Sequence, residues 1–195
     1  MNIVICKLIP DLANDYVSFF DETPHDNNID EHKCYCVCWC NDDCQGKDFS
    51  SREKRRDIAL SYVKGGNIQG YLAYCDGKVV GWCNTNTKSD CFKCVSWRRQ
   101  MGFVPKEESL PDTKVKSVFC FVISPEMKRK GIATRLLERV CYDASQDGFD
   151  YVEAYPSKEF TSDVDFTGPI NMYKKAGFVV FHQSEQQFLM RKQLK

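Results

Sequence analysis

A basic turn that contains a glycine, residues 124–134, carries the groups best suited to bind an anion. It reads SPEMKRKGIAT, and three cations stand directly before Gly131. The apolar run Val118–Ile123 ahead of it is short enough for a buried strand, and residues 132–144 behind it have apolar side chains at helical spacing. A helix that begins after such a turn presents unpaired backbone N–H groups to an anion. The pattern therefore predicts a phosphate site.

The elements around this turn predict one α/β domain over residues 1–195. Residues 1–69 hold short helices and a cysteine-rich segment, and residues 70–195 hold the anion-binding core. The clearest signal is a hairpin at Gly70–Thr85, because its turn, Asp76-Gly77, accepts positive φ. Asn84–Thr113 is a long connection, with a helical turn expected near its middle at Cys94–Met101. The other expected elements are strands at 3–8, 149–155, 178–182 and 187–192, and helices near 12–20, 51–64 and 169–176.

Composition narrows the class of protein. The chain has 195 residues, 43% of them hydrophobic, and a formal net charge of zero. A neutral chain has no global basic field for nucleic acid, and no apolar run approaches the roughly 20 residues that span a bilayer. The first residues, MNIVICKLIPDLANDY, meet a proline and acids too early for an export signal. We expect a cytoplasmic protein that binds neither nucleic acid nor membrane.

Twelve cysteines require their own interpretation. We expect them to be reduced, because a chain of this size needs no disulfide framework. The segment Cys34–Cys40 alternates cysteine with bulky residues, so in an extended strand its four thiols would share one face. Either these thiols pack as small hydrophobes, or they bind a metal together with Cys44 or with the pair Cys91 and Cys94. Adjacent alternating cysteines cannot easily all ligate one tetrahedral ion, so we expect no metal.

Two motifs resemble those of the GNAT N-acetyltransferases. Residues 128–133, KRKGIA, resemble the acyl-CoA signature of that superfamily, and residues 173–178, YKKAGF, resemble its C-terminal segment. Cys-x-Cys-x-x-Trp at 34–39, with Gly81-Trp82-Cys83, Ser117–Phe121 and Glu153–Pro156, is similar to a less characterised branch. This resemblance implies a mixed, mostly antiparallel twisted sheet flanked by helices, with splayed central strands.

The resemblance also implies a donor, acetyl-CoA. Its pantetheine arm would pair with the edge of the strand at Phe121, Val122 and Ile123. Its pyrophosphate would lie on N–H groups from about Arg129 to Thr134, with the cations reaching the 3′-phosphate. The expected binding residues are Phe121, Val122, Ile123, Lys128, Arg129, Lys130, Gly131, Ile132, Ala133 and Thr134. For the three cations, a solvated turn is the alternative.

The acceptor would be a primary amine of a small molecule or peptide that attacks the thioester directly. The resemblance places Tyr173 as general acid for the leaving thiolate, with a packed helix aromatic as the alternative. Glu153 is a candidate general base, with a structural ion pair as the alternative. Many family members have asparagine seven residues before the tyrosine, where this chain has Phe166.

Three further possibilities stay open from the sequence. The chain could bind acyl-CoA without turnover, or it could respond to zinc or to redox conditions through its cysteines. The terminal hairpin offers a strand edge that could pair with a second copy to form a homodimer.

Overall fold

The computed structural model describes residues 2–24, 29–39, 46–105, 113–161 and 166–195. Within these ranges the strands form one seven-stranded sheet of order β1-β2-β3-β4-β5-β7-β6. Neighbouring strands are antiparallel except β4 and β5, which are parallel. The strands are β1 Ile3–Lys7, β2 Gly70–Cys75, β3 Lys78–Thr87, β4 Val115–Ile123, β5 Tyr151–Ala154, β6 Val179–Gln183 and β7 Phe188–Gln193.

Helices cover both faces of the sheet. The α-helices in the described residues are α1 Ala13–Glu22, α2 Arg52–Lys64, α3 Lys88–Cys91, α4 Val95–Gln100, α5 Ile132–Gln146 and α6 Ile170–Lys175. Short 3-10 turns lie at Pro10–Leu12, Asp30–His32, Val37–Trp39 and Pro125–Met127. The α/β fold and its mostly antiparallel mixed sheet are as predicted.

Local sequence explains where several of these elements begin and turn. The Ser51 side chain accepts a hydrogen bond from the Lys54 N–H at 3.3 Å, and this caps α2. Asp76 and Gly77 take φ of 49° and 81° in the β2–β3 turn, the left-handed conformations that this dipeptide accepts. Helix α5 crosses over between β4 and β5, which is why those two strands run parallel.

The hydrophobic core has two parts, one on each face of the sheet. Helices α1, α2, α3 and α4 pack on one face, and we call this the N-terminal face. Helices α5 and α6 pack on the other face, where the apolar stripe of α5 is fully buried. The buried residues of that stripe are Ile132, Leu136, Leu137, Val140, Cys141 and Ala144.

Strand β4 has an irregularity at its centre. Its pairing with β3 shifts between Asn84 and Thr85, which are opposite Cys120 and Val118, so Phe119 is an extra residue in β4. Such a β-bulge interrupts the alternation of side chains. As a result the consecutive residues Phe119 and Cys120 both pack on the N-terminal face, while Val118 and Phe121 pack on the other.

Two local expectations were wrong. The cysteine segment is not an extended strand, because Tyr35 and Cys36 adopt left-handed φ of 46° and 51° and a 3-10 turn follows. The long connection after β3 is shorter than expected, since β3 continues to Thr87 and α3 follows at once. Cys40 and Cys44 lie outside the described residues.

The outer edge of the sheet beside β7 is strand β6. All five of its residues are exposed, including Val179, Val180 and Phe181. Within the described ranges, no helix combines the length and the apolar character needed to cross a membrane.

Candidate active site

The basic turn leads directly into α5. Arg129 and Gly131 adopt left-handed φ of 62° and 80°, and the first hydrogen bond of the helix runs from the Arg135 N–H to the Gly131 carbonyl at 3.1 Å. The N–H groups of Ile132 and the two residues after it therefore precede the helical ladder. A Cβ added to Gly131 would meet nothing within 4 Å, so this end of the helix opens outward. The arrangement suits an anion.

A cavity of about 600 Å³ lies against this helix end. Nine of the ten predicted binding residues line it; Lys130 does not, and its Nζ lies 3.9 Å from Met127 Sδ. The predicted residues in the lining are Phe121, Val122, Ile123, Lys128, Arg129, Gly131, Ile132, Ala133 and Thr134. The remaining walls are Pro24, Pro125, Met127, Phe160, Phe166, Gly168, Pro169 and Met172. Strand end, helix start and basic turn thus share one cavity.

The open edge of β4 forms one wall. Strand β5 pairs with β4 only as far as Val118 opposite Ala154, whereas β4 continues to Ile123. Strand β5 ends at Ala154, so the part of β4 beyond Val118 has no β5 partner, and an extended ligand could pair there. Part of this edge is covered by the chain itself, because the Phe121 N–H donates to the Phe166 carbonyl at 2.6 Å. Phe166, which stands at the position where the resemblance led us to expect asparagine, thus lines the cavity and bonds to β4 through its carbonyl.

Tyr173 lies beside the cavity but is not part of its lining. Its side chain is fully buried, its ring packs edge-on against Phe178 at 5.4 Å, and its hydroxyl donates to the Thr167 carbonyl. A Cβ added to Gly168, a lining residue, would lie 3.5 Å from the Tyr173 hydroxyl. Gly168, which has no side chain, therefore lies between the Tyr173 hydroxyl and the cavity.

Glu153 is in a different place, at the centre of a buried ion cluster on the N-terminal face. Its side chain is 0% exposed, and its carboxylate lies 3.1 Å from Lys88 Nζ and 2.8 Å from Arg191 Nε. The Tyr155 hydroxyl donates to the same carboxylate at 3.2 Å. Burial, together with the Glu153 charge, raises the pKa of the Tyr155 hydroxyl well above its usual range. This placement favours the structural ion pair over the general base.

The cysteines show no metal-binding arrangement within the described residues. No three His, Cys, Asp or Glu side chains among them converge as ligands would. The ten cysteines in those ranges are thiols, and Cys94 Sγ donates to the Cys38 carbonyl at 3.0 Å. That bond joins the cysteine segment to the start of α4.

Sequence reasoning missed two features of this region. The Phe166 carbonyl carries no signal in the sequence, because any residue type has one. Lys88 lies in a polar stretch that resembles a loop, and only the extension of β3 to Thr87 carries its side chain to Glu153. A buried lysine at a strand end could be found only once the strand was known to be that long.

Comparison with known proteins finds one family model and several structures of similar fold. A family model described as the acetyltransferase (GNAT) family matches residues 36–178. An acetyltransferase of the GNAT family from Streptococcus pneumoniae is similar over 100% of both chains, with 16% identity and a TM-score of 0.54. The PaiA N-acetyltransferase from Thermoplasma acidophilum, solved in complex with coenzyme A, is similar over 99% of both chains, with 15% identity and a TM-score of 0.56.

A third similar structure is the ribosomal-protein-S5-alanine acetyltransferase from Vibrio fischeri. It covers 100% of this chain and 94% of its own, with 11% identity and a TM-score of 0.57. At these identities the structures share the fold alone. A search of curated proteins finds no match. The family match covers well over half of the chain, and the chain therefore belongs to the GNAT acetyltransferase family.

Proposed function

We propose that this chain transfers an acetyl group from acetyl-CoA to a primary amine of a small molecule or peptide. The observation behind this proposal is that the end of β4, beyond its pairing with β5, and the start of α5 line the same cavity. Acetyl-CoA carries its thioester on a long pantetheine arm that ends in a pyrophosphate. Such a ligand needs a strand edge for the arm and, next to it, an anion site for the pyrophosphate. The structural relative solved with coenzyme A supports this donor.

The helix start is suited to bind the pyrophosphate. Its N–H groups point along the axis of a 15-residue helix whose N-terminus carries about half a positive charge. Lys128 and Arg129 line the same end of the cavity and add mobile charge. Ala133 is small, so that the backbone of the first turn can approach a phosphate closely. We assign the pyrophosphate to this end and the pantetheine arm to Phe121–Ile123.

The pantetheine arm competes with the chain for the β4 edge. The Phe121 N–H already donates to the Phe166 carbonyl, so an arm that pairs at this position has to displace that carbonyl. The Phe121 N–H would exchange its hydrogen bond to the Phe166 carbonyl for one to the pantetheine arm, and such an exchange costs little net free energy. We therefore expect the Phe166 carbonyl to shift when acyl-CoA binds.

The reaction joins the amine nitrogen to the thioester carbon and breaks the bond from carbon to sulfur. The amine must be neutral to attack, and the leaving thiolate needs a proton. We assign that proton to Tyr173, whose hydroxyl lies next to Gly168 at the cavity wall. The hydroxyl must first leave the Thr167 carbonyl. Glu153 has two cations on its carboxylate, so we assign it to the structural cluster, and solvent water can accept the amine proton.

Release of CoA from acetyl-CoA over a panel of amines tests this function. Steady production of CoA with at least one amine class is the expected result, since a bound thioester with an attacking amine turns over repeatedly. The control is the same assay with Gly131→Ala, which should lose activity through weaker acetyl-CoA binding. Acetyl-CoA that binds and is never consumed with any amine contradicts the catalytic proposal.

A second function, acyl-CoA binding without turnover, is favoured by one specific observation. Both groups near the expected reacting centre are engaged with backbone, the Phe121 N–H with Phe166 and the Tyr173 hydroxyl with Thr167. Turnover separates the two functions, because a sensor binds acetyl-CoA without consuming it. An enzyme should release CoA steadily with at least one amine class, whereas a sensor should show thermal stabilisation by acetyl-CoA and no CoA release with any amine.

We also propose that β6 pairs with β6 of a second copy. The strand lies at the sheet edge, carries no charged residue, and exposes Val179, Val180 and Phe181. Unprotected edges of this kind tend to pair with another chain. Sedimentation should show a dimer for the wild type and a monomer for Val180→Lys; a monomeric wild type contradicts this assignment.

A further inference from the structure

Three cysteine side chains meet on the N-terminal face of the sheet, outside the acyl-CoA cavity. The Sγ atoms of Cys36 and Cys120 lie 3.7 Å apart, although 84 positions separate the two residues in the chain. The Cys36 N–H donates to Cys34 Sγ at 3.4 Å. Cys36 is 0% exposed and Cys120 is 7% exposed, whereas Cys34 is partly exposed. The group therefore runs from the surface into the core.

Two backbone irregularities create this contact. The bulge at Phe119 turns Cys120 toward the N-terminal face, where a regular strand would direct it to the opposite face. On the other side of the contact, the left-handed conformations of Tyr35 and Cys36 place the Cys36 thiol next to the Cys120 thiol. Left-handed conformations at two consecutive non-glycine residues cost free energy and persist only where the surroundings hold them.

The surroundings do hold this turn. The Tyr16 hydroxyl donates to the Tyr35 carbonyl at 2.8 Å, and the Tyr35 hydroxyl donates to Asp21 at 2.7 Å. On the far side of the turn, the Trp39 ring packs on Phe119 with ring centres 5.7 Å apart. The two thiols are therefore held together by the fold, with their sulfur atoms in contact at 3.7 Å.

We propose that Cys36 and Cys120 form a thiol–disulfide site, with Cys34 as its entry thiol, which is oxidised by a low-molecular-weight disulfide. The proposal does not depend on acetyl transfer. Cys120 precedes Phe121, a cavity residue, so the disulfide ties the cysteine segment to β4 directly behind the acyl-CoA site.

The exchange proceeds by three thiol attacks. The Cys34 thiolate attacks one sulfur of R–S–S–R, forms a mixed disulfide and releases the first R–S⁻. Cys36 passes its proton to that R–S⁻, attacks the Cys34 sulfur and releases the second R–S⁻. Cys120 then passes its proton to the second R–S⁻, attacks the Cys36 sulfur and returns Cys34 to its thiolate. Overall, two protein thiols lose two electrons and two protons, and R–S–S–R becomes two R–SH.

Cys34 is the entry point for a physical reason. Contact with the Cys120 thiol raises the pKa of the Cys36 thiol well above its usual range, so Cys36 keeps its proton at neutral pH. The partly exposed Cys34 is the member of the group that an external disulfide can reach. Once the mixed disulfide has formed, the buried thiols lie next to it and need no external reagent.

The test is oxidation of the folded full-length chain with oxidised glutathione, followed by alkylation, digestion and mass spectrometry. We expect a peptide pair joined through Cys36 and Cys120 that dithiothreitol separates again. In Cys34→Ser the same pair should form roughly tenfold more slowly, because the entry thiol is absent. In Cys120→Ser, oxidation should stop at a glutathione adduct or at a bond between Cys34 and Cys36.

Cys141→Ser is the matched control, since Cys141 is equally buried but lies in α5 on the opposite face. It should give the same joined peptides as the wild type. The wild-type mapping alone decides the proposal, whether or not the variants fold. Adducts at Cys34 without any bond between Cys36 and Cys120, or Cys36 joined as often to Cys38 or Cys91, would overturn it.

Discussion

Gly131→Ala should have two effects, a loss of folding stability and a loss of acetyl-CoA binding. Comparison with Gly148→Ala separates them. Gly131 has φ of 80°, and Gly148 at the opposite end of the same helix has φ of 76°. A Cβ added to either residue meets nothing within 4 Å. Each substitution should therefore lower the unfolding free energy by about the same amount, roughly 1–2 kcal/mol for a left-handed non-glycine residue.

Only Gly131→Ala should weaken acetyl-CoA binding. Gly131 lines the cavity, and a methyl group there keeps the pyrophosphate from the N–H groups at the start of α5. Loss of one hydrogen bond to a charged phosphate oxygen costs about 1.5–3 kcal/mol. At 1.4 kcal/mol for each factor of ten, we expect a dissociation constant roughly 10- to 150-fold higher.

The assay pairs titration calorimetry of acetyl-CoA with urea unfolding for the wild type and both variants. Gly148→Ala should keep the wild-type dissociation constant while losing as much stability as Gly131→Ala. Equal dissociation constants for all three proteins would refute the assignment of the pyrophosphate to this helix end. The stability measurement shows that a binding loss in Gly131→Ala does not come from partial unfolding.

Three further predictions follow from the buried groups. Tyr173→Phe should lower kcat by about 10²- to 10⁴-fold and leave acetyl-CoA affinity unchanged, whereas an unchanged kcat would make the tyrosine a packing residue. Glu153→Gln should lower the unfolding free energy in urea by about 3–5 kcal/mol, because two buried cations lose their partner, while the exposed Glu126→Gln should have little effect. Normal stability with lost activity would instead make Glu153 the general base. Burial raises the pKa of the Cys91 thiol from 9.0 to about 12, so the unfolded chain loses this proton at lower pH than the folded chain does. The thiol's contribution to the free energy of unfolding is fully present below pH 9 and is lost as pH rises toward 12. In urea unfolding at pH 8 and at pH 10, the free energy of unfolding of Cys91→Ala should therefore fall by about 1.4 kcal/mol less than that of the wild type.

The sequence was most informative where chemistry and local conformation coincide. Gly131 must be glycine for its left-handed φ, and the strand, turn and helix around it all appeared with nearly the predicted bounds. Ser51 was predictable for the same reason, because capping of α2 is a local interaction. These features depend on residues within a few positions of each other, which a single sequence contains in full.

Features that depend on contacts across the fold could not be predicted in this way. The alternating cysteines suggested a strand, but Tyr35 and Cys36 form a left-handed turn held by Tyr16 and Asp21. The bulge at Phe119 has no sequence signal, yet it decides which face Cys120 joins. Local patterns show which residues can adopt a conformation, and tertiary partners decide which of them do.

Thermal unfolding with and without acetyl-CoA shows whether the folded chain binds this donor. A ligand at about 100 times its dissociation constant stabilises the folded chain by roughly 2.7 kcal/mol. For a chain of 195 residues this corresponds to a rise in Tm of about 5–10 °C. We expect that rise for the wild type and a much smaller rise for Gly131→Ala at the same acetyl-CoA concentration. An unchanged Tm for the wild type at millimolar acetyl-CoA would contradict this expectation.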